Sequence, residues 1–286
     1  ERLRIRLGVH VSIAGGIENS LLRARELGCS AMQIFSRNPR GWKDSPLRAA
    51  VIDSFRMAAE KGDIDPIVIH TPYLLNLASE DEELQRRSIE ALDREITRAG
   101  QLGASLVVTH LGSAGGAGKK AGCKRVVQAL RKVMKRDFSV DVLMENTAGG
   151  GNTIGSTFAE LEEIIESVDR DERLKVCFDS CHGYAAGYDF CSPDKSRSLA
   201  REIERTVGMK RLALLHLNDC LSALGAHLDR HAHIGEGRIG LAGFGSLLGQ
   251  RALRRLPVIL ETPKKNPRDD LKNLARVRDI LMRLDT

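Results

Sequence analysis

No stretch of this sequence approaches the ~20 consecutive apolar residues that a membrane-spanning helix needs. The opening segment, Glu1 to Arg6, alternates charged and apolar residues and has no apolar h-region, so it does not read as a signal peptide. Six cysteines in 286 residues are too few and too scattered for a disulfide framework. Cys177 and Cys181 flank Phe178-Asp179-Ser180 as a lone pair, and they read as reduced, partly buried thiols. Together these absences predict a cytoplasmic location. No linker or low-complexity stretch divides the chain either, so residues 1–286 are expected to form one domain.

The residues present fit a soluble globular protein, with 42% hydrophobic and 29% charged. The formal net charge of +6 favours a polyanionic partner such as nucleic acid, although many basic enzymes never touch one.

Short apolar runs alternate with amphipathic ones. The short runs are rich in β-branched residues and apolar on both faces, as strands of a parallel sheet are. They are Leu7 to Ile13, Ala31 to Phe35, Pro66 to His70, Ser105 to His110, Val140 to Glu145, Leu174 to Asp179, Leu212 to Asn218 and Pro257 to Glu261. Helical patterns fall at Ile17 to Leu27, Glu82 to Leu102, Phe158 to Val168 and Leu271 to Leu284, with Ser156-Thr157 as a capping region for the third. Eight strands alternating with helices predict a closed (β/α)8 TIM barrel of the α/β class. The longest non-helical connection runs from Asp219 to about Gly240, and loops of that length in compact domains usually carry function.

Metal-binding side chains sit at the ends of these runs. His70 ends the third strand, His110 the fourth, Glu145 the fifth and Asp179 the sixth, with His182 just beyond. His216 lies near the end of the seventh, Asp229 and His231 lie in the long loop, and Glu261 ends the eighth. A barrel gathers its strand ends on one rim, where barrel enzymes keep their active sites. One histidine at a strand end is usually a hydrogen-bonded structural residue. So many imidazoles and carboxylates on a dry rim would desolvate and repel one another without cations between them. Donors of this kind, with no thiolate, suit Zn2+, while Mn2+ and Fe2+ also accept them. Nine candidates exceed the needs of one tetrahedral ion and suffice for two or three sharing a carboxylate. Closely spaced ions of that kind serve phosphoryl displacement. His10, inside the first strand, reads as a supporting residue, and His227 and His233 share the long loop, where His233 competes with His231.

At these residues the sequence resembles the endonuclease IV family, the apurinic/apyrimidinic (AP) endonucleases of base excision repair. The resemblance runs through Gly-Val-His-Val-Ser-Ile-Ala-Gly-Gly at 8–16, His-Thr-Pro-Tyr-Leu-Leu-Asn-Leu at 70–77, His-Leu-Gly-Ser at 110–113 and Met-Glu-Asn-Thr-Ala-Gly at 144–149. It continues through Cys-Phe-Asp-Ser-Cys-His-Gly-Tyr-Ala-Ala-Gly-Tyr-Asp at 177–189, His-Leu-Asn-Asp at 216–219, Asp-Arg-His at 229–231, Ile-Gly-Glu-Gly at 234–237 and Leu-Glu-Thr at 260–262. The departures are Leu111, where the family carries Pro, and Ala232, where many members carry a further His.

The resemblance implies three zinc ions. One would take His70, His110 and Glu145, a second Glu145, Asp179, His216 and Glu261, and a third His182, Asp229 and His231. It implies action on double-stranded DNA, cutting 5′ to an abasic site to leave a 3′-hydroxyl; a monomer is expected. Glu145 would bridge two metals, and Glu261 would orient or deprotonate the water. Arg40, Tyr73 and Leu74 would contact and open the DNA, since wedging a side chain into the stack is easier where a base is missing. The plainer alternative takes Tyr73 and Leu74 as ordinary loop hydrophobes covering the barrel and Arg40 as a phosphate contact or surface charge. The competing reading is a two-metal sugar isomerase of the xylose isomerase-like superfamily, which needs neither Asp229-Arg-His231 nor Arg40 with Tyr73 and Leu74. A non-enzymatic barrel with structural metals is a third, though structural zinc sites favour Cys-rich closed sets.

Overall fold

The computed structural model describes residues 5–284. Eight parallel strands close a barrel: β1 (Leu7–His10), β2 (Ala31–Phe35), β3 (Ile67–His70), β4 (Leu106–Thr109), β5 (Asp141–Glu145), β6 (Leu174–Asp179), β7 (Leu212–His216) and, after the two short strands of the long loop, β10 (Val258–Leu260). Each pairs with its neighbours in sequence order, and β10 closes the ring against β1. The expected strands are all present. Four end sooner than expected, β1 by three residues, β7 by two and β4 and β10 by one, where the backbone leaves the ladder.

Strand side chains alternate between two faces. Here one face fills the barrel and the other meets the helices. Ala31, Val68, Leu106, Val108, Leu143, Cys177, Leu214 and Ile259 form an inner cluster, packed as the interior layers of such barrels are. At β1 the inward place belongs to Gly8, where a Cβ would overlap the carbonyl oxygen of Ala31. The larger apolar cluster lies between strands and helices and includes Met32, Ile34, Ile69, Leu92, Ile96, Phe158 and Phe178.

The clearest amphipathic run is the longest helix, α3 (Glu82–Leu102), which keeps its expected bounds. The Asp81 carboxylate accepts from the backbone N–H groups of Glu83 and Leu84 at its start, and Gly103, at φ 73°, ends it in the left-handed region. In α5 (Phe158–Ser167) the Thr157 hydroxyl caps Glu160 N–H, as the sequence predicts. Helices α1 (Asn19–Glu26) and α9 (Asp269–Leu284) also match.

Five helices lacked a clear sequence signal: α2 (Ala49–Glu60), α4 (Lys119–Met134), α6 (Ser180–Ala186), α7 (Pro193–Arg205) and α8 (Gly240–Gly249). Helix α8 carries four glycines, each costing roughly 1 kcal/mol against alanine in a helix interior. Burial of Phe244, Leu247 and Leu248 decides in its favour. The long connection contains a ribbon, β8 (Asp219–Cys220) against β9 (His231–Ala232), in which Cys220 faces His231. Among the described residues no helix is long and apolar enough to cross a membrane.

Candidate metal centre

The inner clusters and the rim are linked by the two-residue period of a strand. Two positions after the inward Gly8, Ala31, Val68, Val108, Leu143, Cys177, Leu214 and Ile259 come His10, Gln33, His70, His110, Glu145, Asp179, His216 and Glu261. Every barrel strand therefore raises one polar side chain into the same top layer. This layer is the floor of the site. Gln33, Glu145, Asp179 and His216 are fully buried, and His70 nearly so.

Glu145 stands at the centre. Its Oε2 lies 3.3 Å from His70 Nε2 and 3.5 Å from His110 Nε2. Its Oε1 lies 3.0 Å from His216 Nδ1 and 3.4 Å from His182 Nδ1. His216 Nδ1 is also 3.2 Å from Glu261 Oε2. A further group stands on the side of the long loop. His182 Nε2 is 3.2 Å from Asp229 Oδ2, and His231 Nε2 is 3.3 Å from Asp229 Oδ1. Asp179 caps α6 by accepting from His182 N–H at 2.8 Å, which sets His182 on the first turn with its ring toward that group.

The donors fall into three sets: His70, His110 and Glu145; Glu145, Asp179, His216 and Glu261; and His182, Asp229 and His231. Within each set the ligand atoms lie within 4.8 Å of one another. A fourth set adds the Cys181 thiol to Asp179 and His231. That thiol was not foreseen near the site. A hydrogen bond with Cys220 and burial push its proton affinity far above that of an ordinary thiol, which disfavours the thiolate a metal would need.

Ring orientation tests whether cations fit. Four imidazoles have one nitrogen committed to a protein acceptor: His70 Nδ1 to Thr71 O (2.7 Å), His182 Nδ1 to Asn146 O (3.0 Å), His231 Nδ1 to Glu261 O (3.1 Å) and His216 Nε2 to Gln33 Oε1 (2.8 Å). The other nitrogen of each turns to the carboxylates, where a cation could take the place of its proton, as metal-bound histidines are arranged. His231 Nε2 is buried with no hydrogen-bond partner. Electrostatics agree. Burial alone would push the Glu145 and Glu261 carboxyls up, but the imidazoles around each, His110 and His216 foremost for Glu145 and His216 for Glu261, hold both well below the carboxylate range. Burial likewise opposes charge on His182 and His216. Asp179 and Asp229 outweigh it at the first, Cys177, Glu261 and Glu145 at the second, and both rise well above the ordinary imidazole value. The layer thus calls for positive charge among its carboxylates, and these oxygen and nitrogen donors fit divalent zinc.

A cavity of about 630 Å³ opens over the donors, and Arg40, Tyr73, Thr262 and Lys264 line it with them. Arg40 and Tyr73 reach solvent, Tyr73 at 64% exposure, and Leu74 is half-buried on the wall of an adjoining cavity. Arg40 rides on a loop clamped to α3: Arg37 pairs with Glu95 at 2.6 Å, Arg98 donates to Ser36 O at 2.7 Å, and the Arg87 guanidinium lies 4.3 Å over the Trp42 ring. His10 sits beside Glu261, with Nδ1 3.5 Å from Oε1. His233 turns away to Asn273, and His227 bonds Ala148 O, so neither competes with His231. Sequence reading missed Gln33, Asn146 and Asn218. Asn146 Oδ1 accepts from Asp179 N–H, and Asn218 donates to Asp179 Oδ2 at 2.6 Å. The signal for Gln33 is a polar residue inside the apolar run Met-Gln-Ile-Phe.

The closed barrel with its donor-lined mouth defines the class, and the family model of the xylose isomerase-like TIM barrel matches residues 21–281. The chain is 46% identical to a probable endonuclease 4 of Methanoculleus marisnigri, over 96% of this chain and 98% of that one. Its fold superimposes on the crystal structure of endonuclease IV from Thermus thermophilus with a TM-score of 0.85 at 36% identity, covering 97% and 99% of the two chains. A D-tagatose 3-epimerase-like protein shares the fold alone, at 21% identity and a TM-score of 0.74 over 98% of each chain. The chain belongs to the endonuclease 4 family.

Proposed function

We propose that this protein is a zinc-dependent AP endonuclease, hydrolysing the phosphodiester 5′ to an abasic site in double-stranded DNA and leaving a 3′-hydroxyl. The observation that carries the reading is the convergence of nine donors into three sets, two of which share Glu145, in a chain of this family. One zinc would be held by His70, His110 and Glu145, a second by Glu145, Asp179, His216 and Glu261, and a third by His182, Asp229 and His231. When bound, zinc supplies Lewis-acid activation of water and neutralises charge on the phosphoryl and departing oxygens.

The chain's own residues do the rest. Glu145, buried and touched by four imidazoles, keeps its charge and fixes the spacing of the sets. Glu261 is the partly exposed carboxylate at the mouth. Its Oε1 accepts from Gln33 at 2.5 Å, while Oε2 faces the donors and can take a proton from an attacking water. Arg40, Tyr73 and Leu74 border the approach, where a cation holds a phosphate and an aromatic edge wedges the stack beside the missing base. The protein works as a monomer in the cytoplasm.

The test is a nicking assay on a duplex with one abasic analogue and its intact counterpart. Incision of the abasic strand alone is expected from zinc-loaded protein. Failure to incise, with epimerisation or isomerisation of a ketose, would replace this reading with the sugar-isomerising one.

A further inference from the structure

Seven of the eight side chains in the top layer are imidazoles or carboxylates. The eighth, Gln33, is a neutral amide. It is fully buried on β2, next in register to His10, and does not line the cavity over the donors. It nevertheless touches three members of the layer. Its Oε1 is 2.8 Å from His216 Nε2, and its Nε2 is 2.5 Å from Glu261 Oε1 and 2.9 Å from His10 Nδ1.

From this geometry we infer that Gln33 is a positioning residue, setting the tautomer of His216 and the rotation of Glu261 so that both present lone pairs to the same cation. The amide can sit only one way. Reversed, its carbonyl oxygen would face a carboxylate oxygen at 2.5 Å, and its N–H2 would force His216 to accept at Nε2. The proton would then sit on His216 Nδ1, which faces Glu145 Oε1 at 3.0 Å and Glu261 Oε2 at 3.2 Å, and no lone pair would be left for a metal. In the observed orientation both amide hydrogens are used, His10 carries its proton on Nε2, and His216 would keep its proton on Nε2 once a cation replaces the one on Nδ1. Glu261 is held at one oxygen and left free at the other. Its backbone N–H is tied in turn to Asn218 Oδ1 at 2.7 Å. Residues that orient a ligand in this way act on metal affinity, typically by about 10–100-fold.

The inference rests on the proposed zinc site but not on the identity of the substrate. The test is Gln33→Met, which keeps the length of the side chain and removes its hydrogen bonds. Zinc retained after dialysis against a graded chelator should show one ion of three bound about 10–100-fold more weakly. The kcat for abasic duplex should fall at limiting zinc and recover at saturating zinc, with KM little changed, because Gln33 does not reach the cavity. On the unsubstituted, zinc-loaded protein, imidazole 15N shifts should report the Nε2–H tautomer at His216 and His10, a readout that needs no variant to fold. Unchanged zinc retention, a rise in KM at constant kcat, or an Nδ1–H tautomer at His216 overturns the inference. Weakened zinc in Gln33→Met, alongside an unsubstituted protein that never incises DNA, would support the inference and refute the substrate reading.

Discussion

Replacing Glu145 with Gln should remove two ions rather than one. The carboxylate is fully buried, with four imidazole nitrogens within 3.0–3.5 Å of its two oxygens, His70 and His110 on one and His216 and His182 on the other. A unit charge at such a distance contributes about 5 kcal/mol at an effective dielectric near 20. The amide keeps one acceptor oxygen, and a neutral hydrogen bond retains roughly half the strength of a charge-assisted one. A loss of about 2–3 kcal/mol at each of two ions is therefore expected, or roughly 30–150-fold in each affinity. At a free zinc concentration that just saturates the unsubstituted protein, elemental analysis of Glu145→Gln should give close to one ion per chain, the one held by His182, Asp229 and His231. Incision should fall by about 10³-fold with the lost charge stabilisation. Loss of a single ion, or even thinning across all three sets, would refute the bridging role.

Glu95→Gln leaves Arg37 buried without its counter-charge, and breaking a buried pair costs about 3–5 kcal/mol. The calorimetric Tm should drop by roughly 6–20 °C, and the KM for DNA should rise as the Arg40 loop loosens; an unchanged Tm would remove the clamp. Tyr73→Ala should weaken binding of abasic duplex by about 5–150-fold, the worth of one base–aromatic stack, with zinc content intact; equal affinity would exclude the wedge. Burial pushes the thiols of Cys29 and Cys123 up to about 11 and that of Cys177 up to about 12. At pH 8 only ~0.1% of a thiol of pKa 11 is thiolate, so alkylation should run about a hundredfold slower in folded than in unfolded protein, and rapid labelling would contradict the burial. The folded state keeps these protons after the unfolded chain has lost them, so their contribution is complete below about pH 9 and stability should fall as pH rises from about 9 toward 11.

The strand ends were legible because a parallel strand buried on both faces is an apolar run, and a ligand closing it breaks the run where the rim must be. The same rule hid Gln33. A single amide inside Met-Gln-Ile-Phe looks like an interruption of a strand until the alternation places it in one layer with His10, His70 and Glu145. The third set was harder to place. His182 is oriented by a cap from Asp179, and His231 by a ribbon whose pairing joins residues eleven apart. Spacing in the sequence offered no reason to prefer His231 over His233, whereas in the fold His233 is drawn to Asn273 on α9. Helix α8 was illegible because its glycines oppose helix formation, and only tertiary burial outweighs them.

The central claim is that this rim hydrolyses DNA 5′ to a missing base. It is tested most directly by incision of a duplex with a single tetrahydrofuran abasic analogue in 18O-water, with both new ends mapped. A 3′-hydroxyl that a polymerase extends, and one 18O atom in the 5′-phosphate of the abasic fragment, are the predicted products. A cut on the 3′ side, a product without label, or an intact strand after incubation with zinc-loaded protein would contradict the account.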